Sequence, residues 1–256
     1  MADALDVERL ERAVKQLYRN VAEAPNESYH FEMGRSLAER LGYPAEDLEH
    51  VPREALDSFA GVGYHFDLAE LEVGDTVLDM GSGSGTDVFV AARRVGDAGG
   101  VTGVDMTPEQ LEKSRRLQDE RGFDNVSFEA GYVEELPFAD GTFDVVSSNG
   151  VINLSPEKEQ VFAEANRVLV PGGRLAISDI SSEREMPTSI KTDSDLWAAC
   201  IGGAEQIDAY RSIIEGAGFD VTEIRDNPEY EFISEQAANA CQKYGIKSVS
   251  IAARRE

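Results

Sequence analysis

Seven residues, Asp79-Met80-Gly81-Ser82-Gly83-Ser84-Gly85, set three glycines and one acid directly after the apolar run Thr76 to Leu78. A strand that runs through such a turn into a helix lets backbone approach a ligand closely, because glycine has no Cβ and accepts left-handed dihedrals. The spacing narrows the ligand. A dinucleotide turn places its third glycine three residues after the second and seats a pyrophosphate on the helix N-terminus. Here the glycines fall at 81, 83 and 85, and Asp79 precedes the first by two positions. An acid there suits a cationic or amino-bearing ligand and repels a pyrophosphate. The loop contacts expected are Asp79, Gly81, Ser82, Gly83 and Gly85.

Two further segments would complete a nucleoside-sized site. Val101-Thr102-Gly103-Val104-Asp105 puts a carboxylate at a strand end, 20 residues after Gly85. That carboxylate, followed by Met106, can accept both hydroxyls of a ribose or merely cap its own turn. Gly131-Tyr132-Val133-Glu134 lies where such folds line an adenine, with Tyr132 for ring contact and Glu134 for an edge hydrogen bond, unless it is a plain surface turn. S-adenosylmethionine carries an α-amino group, a sulfonium and no phosphate, so it fits this set on charge. Asn149, just past the fourth strand, sits where an open sheet edge meets its ligand; its amide can touch cofactor or acceptor, or shape a turn.

These residues need a scaffold to hold them. Leu10, Val14, Leu17 and Val21 form one stripe and predict an amphipathic helix over 5–21. A second helix spans 34–41 and stops at Gly42-Tyr43-Pro44, with short helical turns at 44–48 and 53–56. Residues 1–70 therefore read as a helical cap, and residues 71–256 as the ligand-binding domain. From residue 75 strand and helix alternate. Strands are expected at 76–80, 101–104, 126–128, 143–147, 174–178, 221–225 and 248–253. Helices are expected at 87–95, from Thr107, at 156–169 and at 207–217, with a helical insert over 193–203. Thr107-Pro108-Glu109-Gln110 predicts a capping box, and Pro171-Gly172-Gly173 a stop. Alternation of this kind implies right-handed crossovers and a doubly wound parallel α/β sheet.

Beyond the loop, the chain resembles class I S-adenosylmethionine-dependent methyltransferases, and within them the arsenite methyltransferase family. The resemblance is carried by residues 77–85, by Val104-Asp105-Met106-Thr107-Pro108-Glu109, by Ser148-Asn149-Gly150-Val151-Ile152-Asn153-Leu154 and by Pro171-Gly172-Gly173-Arg174-Leu175. Leu196-Trp197-Ala198-Ala199-Cys200-Ile201-Gly202-Gly203-Ala204 and the segment from Leu41 to Pro52 add to it, so that it spans about residues 38–225. It implies a seven-stranded Rossmann-like sheet, S-adenosyl-L-methionine as methyl donor, and a small-molecule acceptor. In that family cysteine thiolates hold trivalent arsenic, whose lone pair attacks the sulfonium methyl, so that positioning carries most of the catalysis. Here Val62 and Gly150 stand where two of the three family cysteines are expected, and only Cys200 is retained. One thiolate cannot chelate arsenic; a thiol-bound arsenical would bring its own ligands or borrow Cys241. The resemblance thus carries methyl transfer further than it carries arsenic; a quinone or other carbon, oxygen or nitrogen acceptor stands as the alternative, and a cofactor-binding protein without catalysis as a third reading. Cys200, beside Trp197, either lines the acceptor pocket or fills core. Tyr64-His65-Phe66 can rebuild that pocket as an aromatic wall, with His65 as a base or as a surface residue. Cys241 reads as structural.

Composition limits the partners. The 256 residues carry 49 acids against 24 basic residues, a net charge of −25, which repels phosphate backbones and anionic lipid. Neither nucleic acid nor membrane is therefore expected as a partner. Only six of the basic residues are lysine, and the acids are dispersed along the chain, a pattern that reads as halophilic adaptation. No run approaches the ~20 apolar residues of a membrane span. The amino-terminal residues alternate apolar and charged types without a signal-peptide core, so the chain reads as cytoplasmic. Two cysteines and three histidines without ligand spacing predict neither a disulfide framework nor a protein-held metal.

Overall fold

Strand β1 (Thr76–Met80) is apolar because both its faces are covered and both its edges paired, to β2 (Gly100–Asp105) and to β4 (Phe143–Asn149), each in parallel. The computed structural model describes residues 5–193, 196–197, 201–233 and 235–256. Its strands form one sheet of order β3-β2-β1-β4-β5-β8-β7, with β3 at Val126–Ala130, β5 at Leu169–Ser182, β7 at Phe219–Asp226 and β8 at Ile246–Arg255. A two-residue β6 (Glu205–Gln206) pairs with the end of β5.

The expected sheet was wholly parallel, and the observed one is mixed. β8 inserts between β5 and β7 and runs antiparallel to both. A returning strand can start at the end where β7 finishes, so the excursion over 227–245 needs no full crossover. Apolar patterning reports which face is buried and is blind to strand direction.

Two local readings also change. Pro171-Gly172-Gly173 does not end the strand region: Leu169 pairs with Phe143 and pairing resumes at Arg174 with Val145, so these residues form an irregularity inside β5. Thr107 does precede helix α7 (Pro108–Arg121), but its side chain makes no capping bond to the helix. Its backbone N–H donates to Asp105 Oδ1 at 2.8 Å, while Gln110 turns to other partners. The capping residues are diverted into the site.

Helices cover both faces. On one, α6 (Thr86–Val95), α7 and the short helices α2 (Arg35–Arg40), α3 (Ala45–Leu48), α4 (Arg53–Asp57) and α5 (Phe66–Ala69) share a core with Val77, Val145 and Ala176. On the other, α8 (Lys158–Val168) and α10 (Ile207–Gly216) pack Phe162 and Tyr210 against Leu78, Leu175 and Ile251. α9 (Thr188–Lys191) and α11 (Glu235–Tyr244) border a smaller apolar cluster with Val62, Ile180 and Met186. Helix α1 (Val7–Glu23) buries Leu10 and Val14 against Trp197. No helix of the described residues is long and apolar enough to cross a membrane.

Strand order reverses between β1 and β4, and this leaves a crevice beyond their carboxyl ends. The glycine loop opens from β1 and Asn149 ends β4, so both sequence signals fall at that point.

Candidate functional site

Gly81, Gly83 and Gly85 all adopt left-handed dihedrals, with φ of 73°, 52° and 93°. The N–H groups of Gly81 and Ser82 both donate to the Val104 carbonyl, at 2.8 and 3.0 Å, which ties the loop to β2. Asp105 completes the tie, accepting from the Gly83 N–H at 2.9 Å. Gln110 bridges outward: its Oε1 accepts from the Ser84 hydroxyl at 2.5 Å, and its Nε2 donates to the Tyr18 carbonyl of α1 at 2.8 Å. Gly85 faces away from the crevice, because a Cβ there would stand 2.7 Å from Phe128 Cζ. It allows close packing of the loop on β3 and is not part of the crevice wall.

The crevice is a cavity of about 380 Å³, walled by the glycine loop, Asp105 and Met106, Gly131 to Glu135, Asn149 to Val151 and one face of α1. Seven carboxylates line it, from Glu11, Asp79, Asp87, Asp105, Glu134, Glu135 and Glu157, and among the described residues no lysine, arginine or histidine does. Burial, and then the neighbouring Asp87 carboxylate, push the Asp79 carboxyl well above its usual range; the Ser147 hydroxyl, donating to Oδ1 at 2.9 Å, pulls the other way. Burial also raises the Asp105 carboxyl, against the backbone N–H groups of Thr107 and Gly83. The Ser82 hydroxyl is buried without a hydrogen-bond partner. Such a wall favours a cation and leaves donors and acceptors to spare.

At the rim, Tyr132 is half exposed, and its hydroxyl donates to Glu11 Oε1 while accepting from Lys15 Nζ, both at 2.7 Å. Lys15 also reaches Glu11 at 2.7 Å, closing a ring of three groups between α1 and the segment after β3. Val133 packs toward the core, and Glu134 accepts a short hydrogen bond from the Ser155 hydroxyl. Met106 rests on Leu10, Val14 and Trp197. At its other end α1 is held firmly, by Lys113 Nζ on the Ala22 carbonyl at 3.1 Å and the Ser58 hydroxyl on the Val21 carbonyl at 3.0 Å.

Asn149 brings a different part of the chain to the site. Its amide bonds the backbone of Val62 and Gly63, and beyond them Tyr43 and Asp87. Val62 and Gly150 prove to be neighbours: a Cβ on Gly150 would lie 3.2 Å from Val62 Cγ1. His65 is fully buried, with neither ring nitrogen hydrogen-bonded, its ring 4.5 Å from that of Phe66, and burial holds its pKa below the usual value. It is thus no surface residue, nor does it line the cavity. Cys200 lies outside the described residues. Cys241 is a half-buried free thiol against the Val62 cluster, and burial raises its pKa. Sequence reading missed Tyr43 and Asp87. Asp87 looks like an ordinary first-turn acid of α6, and Tyr43 meets it across 44 residues of chain.

With this geometry in hand, the comparisons with known proteins are specific. Residues 71–218 match the family model of the methyltransferase domain. Arsenite methyltransferase of Halobacterium salinarum is 42% identical over 219 residues, covering 85% of this chain and 56% of that protein. The chain thus spans about half the length of the curated relatives it matches. The crystal structure of an arsenic(III) S-adenosylmethionine methyltransferase from Chlamydomonas reinhardtii superposes with a TM-score of 0.64 at 32% identity, covering 87% of this chain and 74% of that one. Geranyl diphosphate C-methyltransferase of Streptomyces coelicolor shares the fold, with a TM-score of 0.70 at 19% identity over 96% of this chain and 98% of its own.

Proposed function

The chain belongs to the methyltransferase domain family, and from that premise we propose that it transfers a methyl group from S-adenosylmethionine to a small uncharged molecule. The observation that carries this reading is the cavity wall, which among the described residues holds seven carboxylates and no cationic side chain. The donor is cationic at its sulfonium and amino groups, and the residues present suit it. Asp79 would face the amino group, and Asp105 the ribose. Tyr132, Val133 and Glu134 would line the adenine, with Gly81, Ser82 and Gly83 leaving room for the chain between. When bound, the donor supplies an electrophilic methyl; the protein's part is to orient it, exclude water and present a nucleophile in line. Residues 1–70 serve in this reading as the cap over the donor, and the dispersed acids as adaptation to salt.

For the acceptor, two of the proteins named above are arsenic methyltransferases, and a thiol-bound arsenical is accordingly the first candidate. The apolar pair Val62 and Gly150 favours the second reading, an uncharged carbon, oxygen or nitrogen acceptor. Calorimetry with S-adenosylmethionine should show binding, and its absence would overturn the donor assignment. Arsenite supplied with glutathione or with a neutral dithiol, followed by mass spectrometry, separates the acceptors. The anionic wall predicts that the neutral dithiol is the better carrier. Release of S-adenosylhomocysteine with quinones but not with arsenite would decide for the second reading.

A further inference from the structure

One side-chain amide touches both halves of the site. Asn149 Oδ1 accepts from the Val62 N–H at 2.8 Å. Its Nδ2 lies 3.0 Å from the Tyr43 hydroxyl, 3.0 Å from the Gly63 carbonyl and 3.1 Å from Asp87 Oδ2. Tyr43 donates in turn to Asp87 Oδ1 at 2.6 Å. The partners settle which way the amide points, since a backbone N–H must face oxygen and a carbonyl must face nitrogen. Gly61 admits it: a Cβ at that position would stand 2.6 Å from Nδ2. The opposite side of the loop is also tied, because the Ser248 hydroxyl donates to the Val62 carbonyl at 2.6 Å. Both backbone polar groups of Val62 therefore bond to side chains, one from β4 and one from β8.

Asp87 shares the cavity wall with Asp79, at the foot of the glycine loop. The Asp87 carboxylate helps to raise the Asp79 carboxyl, and a cation bound beside them would counter that repulsion. We infer that Asp87, Tyr43 and Asn149 form a positioning unit that couples a cationic ligand at Asp79 and Asp87 to the placement of the segment from Ala60 to Gly63, opposite Gly150. The inference rests on the methyl-donor reading of the cavity. Asp87 accepts from Tyr43 and from Asn149 together, and the amide so oriented holds the Val62 N–H and the Gly63 carbonyl. Burial, and then Asp87 itself, keep Tyr43 protonated and hence a donor. None of the three needs to touch a reacting atom. The order of binding follows from the connection: donor first, because the wall the acceptor meets is set by what the donor does to Asp87.

Backbone amide exchange at Val62 tests this. S-adenosylmethionine should slow exchange there about tenfold in the unaltered protein. In Asn149→Ala, donor affinity measured by calorimetry should stay within about threefold, while Val62 exchanges fast with or without the donor. Asp87→Asn provides the control against a merely structural role and against misfolding. It keeps the side-chain size and can give its oxygen to Asn149 and its NH2 to the Tyr43 hydroxyl oxygen, so Val62 should exchange as in the unaltered protein without donor yet fail to slow when donor is added. Unchanged protection in Asn149→Ala, or a full donor response in Asp87→Asn, overturns the coupling. Donor binding without any change at Val62 overturns the coupling and leaves the proposed function standing, whereas no donor binding overturns both.

Discussion

Gly61→Ala should be among the most damaging one-carbon changes available to this protein. The new Cβ would lie 2.4 Å from Phe59 Cζ, 2.7 Å from Phe59 Cε2 and 2.6 Å from Asn149 Nδ2. Phe59 cannot swing aside, because it is buried and its ring packs edge-on against Tyr43 with centroids 5.2 Å apart. Overpacking of this kind costs about 1–3 kcal/mol. If the amide gives way instead, its bonds to the loop and to Asp87 are strained, at roughly 1–3 kcal/mol. Either response alone costs about 1–3 kcal/mol and both together roughly 2–6 kcal/mol, at about 2–4 °C of melting temperature per kcal/mol for a chain of this size. Gly216→Ala is the matched control. That glycine ends α10 with ordinary dihedrals and nothing within 4 Å of a Cβ, so the change should stabilise, by about 0.5–1 kcal/mol. Urea unfolding of both variants gives the difference directly, provided their m-values agree. Gly61→Ala falling within about 0.5 kcal/mol of the unaltered protein would refute the claim that the loop is packed this tightly against Asn149.

Three further outcomes are expected. Asp79 holds its proton more readily folded than unfolded, so the ligand-free protein should lose stability as pH rises through that raised pKa, while donor affinity increases over the same interval. Asp79→Asn should flatten both curves, in melting scans and in calorimetry across pH. Lys158 is buried against the Asn153 and Ser155 carbonyls and the Trp197 ring, and burial pulls its pKa down to about 8. Stability should accordingly rise between pH about 8 and about 10.5 and stay flat just below, and Lys158→Met should abolish that slope in denaturant titrations against pH. With a net charge of −25, the protein should melt at a substantially higher temperature in molar KCl than in low salt, and equal melting temperatures would remove the case for salt adaptation.

The glycine loop and Asp105, which the proposal assigns to the donor, were legible as a crevice wall because their determinants are local. Glycine spacing, Asp79 and Asp105 all lie at strand ends, and the alternating pattern fixed which ends those were. Asn149 was found for the same reason, though its partners were not. Val62 and Tyr43 sit 87 and 106 residues away on loops, and Asp87 62 residues away in α6, so that only tertiary packing brings them together. Thr107 and Gln110 carry a sound local signal for capping, and tertiary demand from Asp105, Ser84 and α1 outbids it. The direction of β8 had no signature, since a strand buried on both faces reads alike in either direction. His65 illustrates the limit. Its neighbours in sequence are aromatic, yet its full burial without hydrogen-bond partners becomes evident only in the folded chain.

The ring of Tyr132, Glu11 and Lys15 has a consequence for turnover. Contacts between exposed charges are worth about 0–1 kcal/mol, so this rim is the weakest seam of the enclosure. The far end of α1, by contrast, is bonded to α7 and to the segment after α4 through buried or half-buried groups. The two ends of the helix are thus held differently, the rim end by an exposed polar ring and the packing of Leu10 and Val14, the far end by buried or half-buried hydrogen bonds. A swing of the rim end of α1 would break these three contacts together with the packing of Leu10 and Val14 on Trp197 and Met106, and would leave the sheet and the two cores on its faces intact. Substitution of Lys15 should therefore change how long a ligand dwells and leave the cavity wall untouched, whereas substitution of Glu11 changes both the ring and the wall that this carboxylate lines.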